Sequence, residues 1–149
     1  MIDEIDKKIL NLIQANFPIS KRPYKEIGEK LGLEESEVFE RIMKLYENGI
    51  IRRIGATFNS HALGYSSTLC AAKVPEEKID EFVNELNKFY QVTHNYLREH
   101  EYNVWFTFID VSMEEIEKKL KQISEKTGVK DILNLPAKRL FKVRVDLNV

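Results

Sequence analysis

The stretch YKEIGEKLGLEESEVFERIMKLYENGIIRR, residues 24–53, decides the fold of the first part of the chain. Tyr24, Ile27 and Leu31 fall on one face of a helix that Pro23 opens and Gly32 stops. A further helix begins near Glu35, carries Val38, Ile42 and Leu45 in register, and ends at Asn48-Gly49. Two such short amphipathic helices need a third element to cover their apolar faces, and the residues upstream supply it. Ile2, Ile5, Ile9, Leu12 and Ile13 recur at helical spacing, Asp3 and Glu4 suit the positive end of that helix, and Phe17-Pro18 closes it. Downstream, IIRRIGATF (residues 50–58) reads as a strand. Helix, helix, glycine turn, helix, strand is the order of a winged helix-turn-helix domain, assigned to residues 1–60.

Residues 61–149 have another rhythm. STLCAAKV reads as a strand, and Ile79, Phe82, Val83 and Leu86 mark a helix. The strands VTHNYLR and YNVWFTFID flank a tight connection at Glu99-His100-Glu101. A second helix carries Ile116, Leu120 and Ile123 and stops at Gly128, and LFKVRVDL reads as the closing strand. The order β-α-β-β-α-β predicts an α+β, ferredoxin-like domain with both helices on one sheet face. The other face is left for solvent, a second subunit or a ligand.

Composition narrows the function. Hydrophobic residues make up 43% of the chain and charged residues 32%, the balance of a globular protein. No apolar run has the length of a membrane span, and the acidic, amphipathic start is unlike a signal peptide. The single cysteine, Cys70, excludes an internal disulfide and a cysteine-built metal site, and fits a cytoplasmic location. The net charge of −1 counts against a strong nucleic-acid binder, which needs a basic surface.

Residues 92–108, VTHNYLREHEYNVWFTF, concentrate chemistry: two of the three histidines, the only tryptophan and an arginine. Alternate side chains of a strand share a face, so His94, Tyr96 and Arg98 are expected together, with Thr93, Asn95 and Leu97 on the other side. Lys142 and Arg144 are expected to add positive charge from the closing strand, or to guard a sheet edge. A cationic sheet face suits a ligand rich in carboxylates, which arginine grips with two parallel hydrogen bonds.

A winged helix followed by a ferredoxin-like domain resembles the Lrp/AsnC family of transcriptional regulators along the whole chain. In that family the first domain binds DNA and the second dimerises and senses amino acids. The resemblance meets a physical obstacle at the third helix. Its N-terminal residues should reach base edges, yet they are Glu34, Glu35, Ser36 and Glu37, with Glu40 a turn later. Residues 1–60 hold ten Lys and Arg against ten Asp and Glu, so the domain is neutral. A DNA-binding regulator sensing a small ligand is therefore the alternative reading and not the leading one.

Within the same superfamily, HNYLREHEYNVWFTF and RRIGATFNSHALGYSSTLCAAKVP (residues 52–75) closely resemble the siroheme decarboxylases, the first run their A-type chains. Related chains act in heme d1 formation. The resemblance implies a lyase that removes carbon dioxide from two acetate side chains of siroheme, leaving methyl groups, on the alternative heme or heme d1 route. It implies no cofactor of the protein's own, because the iron arrives in the substrate. As partners it implies siroheme and a second subunit, either a copy of this chain or a paralogue, and neither DNA nor membrane. In that setting His94 is the first candidate for the proton donor, with Arg98 beside it in the catalytic pair. Arg98, with Arg52, Arg53 and Arg139, would hold unreacting carboxylates, and Tyr96, Trp105 and Phe106 would stack on the macrocycle. His100 could replace His94 or approach the substrate iron, while His61, in the connection NSHALGY, could simply hydrogen-bond there.

Overall fold

A computed structural model describes residues 2–142 together with Leu147 and Val149. Two compact units divide the chain, Met1–Ala56 with Lys142–Val149, and Thr57–Phe141.

The first unit contains α1 (Glu4–Asn16), α2 (Pro23–Leu31) and α3 (Glu35–Glu47). Each puts an apolar stripe inward, so that Ile9, Ile27, Val38 and Ile42 are completely buried, with Ile5, Leu12, Tyr24 and Ile51 packed around them. Asp3 caps α1 in a reciprocal arrangement with Asp6: each carboxylate accepts the other residue's backbone N–H, at 2.8 and 3.1 Å. Arg41 reaches across from α3 to Asp3 at 2.8 Å and Asp6 at 2.9 Å, and also bonds Glu37 at 3.0 Å. These three carboxylates hold its guanidinium charged far above the ordinary arginine range.

The turn between α2 and α3 depends on two glycines. Gly32 adopts φ 70°, the left-handed region that ends the helix. Gly28 gives room, since a Cβ there would lie 2.5 Å from the Leu33 carbonyl oxygen, which is backbone and has nowhere to go. Alanine at position 28 gains about 1 kcal/mol of helix propensity, but overpacking of this kind typically costs about 1–3 kcal/mol. Gly28→Ala is therefore expected to lower the denaturant midpoint of the chain; an unchanged or raised midpoint would show that the turn yields freely.

Of two expected strands, one is not found and the other falls largely outside the described residues. Residues 50–58 form no strand, and at their start the N–H groups of Ile50 and Ile51 both bond the Leu45 carbonyl, at 3.0 and 3.1 Å. They are spent closing α3 and cannot enter a ladder. The fourth strand among the described residues is Ile132–Leu135, and most of the expected closing strand LFKVRVDL lies outside them. Leu140, Phe141 and Lys142 are exposed and irregular, and Val143, Arg144, Val145 and Asp146 lie outside the described residues. Leu147 exchanges two hydrogen bonds with Gln14 on α1, at 2.8 and 2.9 Å, and Val149 accepts one from Asn11. The end of the chain thus belongs to the first unit, whereas the sequence reading placed it in the second.

The second unit is ferredoxin-like. Its elements are β1 (Ser66–Ala72), α4 (Ile79–Leu86), β2 (Val92–Leu97), β3 (Val104–Asp110), α5 (Met113–Thr127) and β4 (Ile132–Leu135). The antiparallel sheet has the order β2-β3-β1-β4. Strict alternation along β3 sends Val104, Phe106 and Phe108 inward against Phe82 and Leu86 of α4 and Ile116, Leu120 and Ile123 of α5. Cys70 sits in this core, where burial pushes its thiol up to about 12. Ser112 caps α5 by accepting the Glu115 N–H, and Gly128 ends it at φ 71°.

Asp110, at the buried end of β3, is paired with Lys119 of α5. Burial raises its carboxyl, but the Lys119 ammonium and the Val111 N–H outweigh this, leaving it below the ordinary 3.8. A depressed carboxyl stabilises fully above its unfolded value and loses that contribution as pH falls through the folded one. The second unit is accordingly expected to melt earlier below about pH 4, the range set by the ordinary aspartate value. Asp110→Asn should flatten that part of the stability profile; an unaltered acid limb would refute the linkage.

Candidate functional site

The helices cover one face of the sheet, and the other carries the polar strand residues. Register fixes who stands beside whom. His94 lies opposite Thr107, and Thr107 opposite Leu69, which pairs in turn with Leu135. One step along, Tyr96 lies opposite Trp105, followed by Ala71 and Leu133. The outer face is therefore split into an aliphatic half on β1 and β4 and an aromatic, cationic half on β2 and β3.

A concavity of about 310 Å³ opens on that second half, lined by His94, Tyr96, Arg98, Trp105, Phe106 and Thr107, with Leu69 at its aliphatic margin. The imidazole of His94 lies nearly parallel to the Tyr96 ring, 6.2 Å between centroids and 19° between planes. Arg98 carries its guanidinium 5.8 Å from the centre of the Trp105 ring, a cation–π contact that aims the charge without neutralising it. Trp105 donates its indole N–H to the Tyr102 carbonyl at 2.7 Å. That polar handle is satisfied inside the hairpin, so a ligand meets the indole as a flat apolar surface.

The hairpin holding these strands is itself braced. Arg98 N–H donates to the Asn103 carbonyl at 2.7 Å, and the Asn103 amide clamps both the N–H and the carbonyl of Val74, at 2.9 and 2.8 Å. Lys73 pairs with Glu101. His100 is built into the same turn, its Nδ1 accepting the Tyr102 N–H at 3.1 Å and its ring stacked on Tyr102.

The structure brings His94, Tyr96, Arg98 and Trp105 into one concavity. Phe106, expected as a stacking residue, borders the same concavity but is only 1% exposed and packs in the core against the helices. Arg139 covers the ring of Phe141 at 5.0 Å. Arg52 and Arg53 belong to the first unit, where they line a groove of about 400 Å³ with Leu10, Phe17, Ile51 and Leu147. His61 lies 3.4 Å from the Ser67 hydroxyl. Lys142 is off the sheet, and Arg144 lies outside the described residues. Among the described residues, no three His, Cys, Asp or Glu side chains converge as metal ligands would. Thr107 and Leu69 were missed from sequence. Thr107 alternates with Trp105 and was in principle visible, whereas Leu69 depends on the β1–β3 register.

At α3 two of the N-terminal carboxylates are committed within the chain. Glu35 is paired with Arg22, and Glu37 with Arg41. The exposed side chains of the helix include Phe39, Met43 and Tyr46, an apolar stripe at helical spacing. Neither set resembles the polar fingers that read base edges.

Comparison with known proteins follows this division. Residues 62–142 match the AsnC-like ligand-binding domain, and residues 6–52 match the siroheme decarboxylase NirDL-like helix-turn-helix domain. A transcriptional regulator from Neisseria meningitidis, solved with L-methionine, has the same fold with a TM-score of 0.84 at 18% identity, over 99% of this chain and 96% of its own. The architecture is thus that of the Lrp/AsnC class. Sequence places the chain more narrowly. It is 57% identical to the siroheme decarboxylase alpha subunit of Oleidesulfovibrio alaskensis, over 99% of this chain and 90% of that one. It also superposes with a TM-score of 0.75, at 36% identity, on the siroheme decarboxylase NirDL crystallised with an iron-uroporphyrin III analogue. That match covers 97% of this chain and 48% of the other, so this chain spans about half of it. The chain belongs to the siroheme decarboxylase family.

Proposed function

We propose that this chain is a siroheme decarboxylase subunit of the alpha type, and that the His94–Arg98 face of its sheet receives the acetate side chains of siroheme. The observation that carries the reading is the concavity itself: an imidazole, a guanidinium and a flat indole on one sheet face, in a chain of this family.

Cleavage of the bond between the acetate CH2 and its carboxylate releases carbon dioxide and leaves the electron pair on that carbon. The macrocycle delocalises the pair, so the demanding electronics lie in the substrate. The protein must hold the ring, leave the departing carboxylate poorly solvated, and deliver one proton to each carbon so that it becomes methyl. His94 is suited to the last task, because imidazole exchanges protons near neutral pH. Arg98 fits an unreacting carboxylate, and gripping the reacting one would oppose its loss. Trp105 and Tyr96 supply surface for the macrocycle. No electrons are exchanged, and the iron belongs to the substrate.

The volume argues for a partner. At about 310 Å³ the concavity is at the bottom of the range of small-molecule sites, roughly 300–1,000 Å³. A carboxylate-rich tetrapyrrole exceeds it, so this sheet face serves as one wall and another subunit, a paralogue or a second copy, as the opposite one. The exposed Leu69, Leu133 and Leu135 offer apolar contact for such a subunit. Among the described residues no helix is long and apolar enough to cross a membrane.

The test is anaerobic incubation of the chain with siroheme, alone and with its paralogue, following carbon dioxide and product mass. Loss of two carboxyl groups per siroheme supports the reading. Absence of release from both preparations, despite siroheme binding, would overturn it.

A further inference from the structure

The Thr93 hydroxyl lies 3.0 Å from His94 Nδ1. Successive strand residues normally point to opposite faces, which should keep these two side chains apart. The β2–β3 register shifts between Val92 and His94, leaving Thr93 as the extra residue of a bulge. Bulges re-aim side chains, and here the irregularity brings a hydroxyl onto the imidazole of its neighbour.

We propose that Thr93 is a positioning residue for the decarboxylation: its hydroxyl accepts the Nδ1–H of His94 and so commits Nε2 to proton delivery. This rests on the reading of His94 as the donor. The charged form of the ring carries protons on both nitrogens. With Nδ1–H held by Thr93, the Nε2 proton moves to the substrate carbanion and the C–H bond of the new methyl forms. The ring is left neutral with its proton on Nδ1, still bonded to Thr93, and solvent reprotonates Nε2 at this exposed side chain. The hydrogen bond is the same before and after transfer, so no ring flip is required. Histidines that work as acids or ligands commonly fix their second nitrogen on a carboxylate or carbonyl. His94 has neither among the described residues. The groups that line the concavity with it are Tyr96 and Arg98 of its own strand, Trp105, Phe106 and Thr107 of β3, and Leu69 of β1. None is a carboxylate, and in the charged ring, where Nδ1 bears a proton, the Thr93 hydroxyl can only accept it.

Thr93→Val keeps the shape and β-branching while removing the hydrogen bond, and Thr93→Ser restores the hydroxyl. In the assembled enzyme Thr93→Val is expected to lower kcat about 10-fold or more, the usual scale for an orienting partner, with KM little changed. Its pH–rate profile should also shift, and Thr93→Ser should recover both. Independently of turnover, ¹⁵N spectra of the free chain should show neutral His94 as the Nδ1–H tautomer, becoming mixed in Thr93→Val. An unchanged tautomer in that variant, or a changed one with unaltered kcat while His94 is required, overturns the proposal. A changed tautomer together with full activity in His94→Ala would instead overturn the assignment of His94 as donor, leaving its contact with Thr93 intact.

Discussion

Replacing His94 by alanine is expected to lower the rate of siroheme decarboxylation by about 10²–10⁴-fold, the range over which a positioned acid accelerates a reaction. Binding should change little by comparison, because Arg98, Tyr96 and Trp105 remain to hold the macrocycle and its carboxylates. The loss should therefore fall in kcat, which marks an interaction made in the transition state. Some turnover should persist, since water can protonate the carbanion slowly in place of the imidazole. The same mechanism predicts one deuterium in each new methyl group when the reaction runs in deuterium oxide. Wild-type turnover by His94→Ala would exclude this residue as the acid and turn attention to His100, whose Nδ1 already accepts a backbone N–H. A variant that binds no siroheme would mean that His94 holds substrate.

The second large effect concerns the support of the site. Phe82 of α4 is completely buried and meets the ring of Phe106 edge-on at 6.3 Å. Phe106 lies between Trp105 and Thr107 on β3, so the helix-facing and ligand-facing sides of the sheet share one strand. Truncation of a buried phenylalanine to alanine costs about 3–5 kcal/mol, a large part of the roughly 5–15 kcal/mol that hold a domain folded. Phe82→Ala should thus bring the unfolding midpoint of the second unit down sharply. Ile19→Ala, at a fully exposed position, should leave it unmoved. Equal behaviour of the two variants would contradict the packing described here.

Much of this architecture was legible before the coordinates. The helices were readable because Ile9, Ile27, Val38, Phe82, Ile116 and Ile123 each recur with partners at helical spacing, and glycine or proline closes most of the segments. The common face of His94, Tyr96 and Arg98 followed from alternation alone. The fourth strand did not. LFKVRVDL alternates more cleanly than ILNL, but alternation cannot say which neighbour a strand pairs with, and it is Ile132–Leu135 that pairs with β1. Residues 50–58 were misread for a similar reason, since composition does not reveal that two backbone donors turn back to Leu45. The role of Thr93 was hidden because a bulge breaks the period on which strand reasoning depends. Charge suggested grouping Arg52, Arg53 and Arg139 with Arg98; of these Arg98 lines the concavity, Arg52 and Arg53 belong to the other unit, and Arg139 covers the Phe141 ring.

Cys70 gives the second unit an internal clock. As the only thiol of the chain, sealed beneath the helices and poorly ionised, it reacts with an alkylating reagent only while the sheet is open to solvent. Its labelling rate under native conditions therefore counts opening events one by one. A compound bound to the folded sheet face must slow the count in proportion to its occupancy. Binding of siroheme could be followed in this way without any spectral signal from the iron, and in variants that no longer turn over.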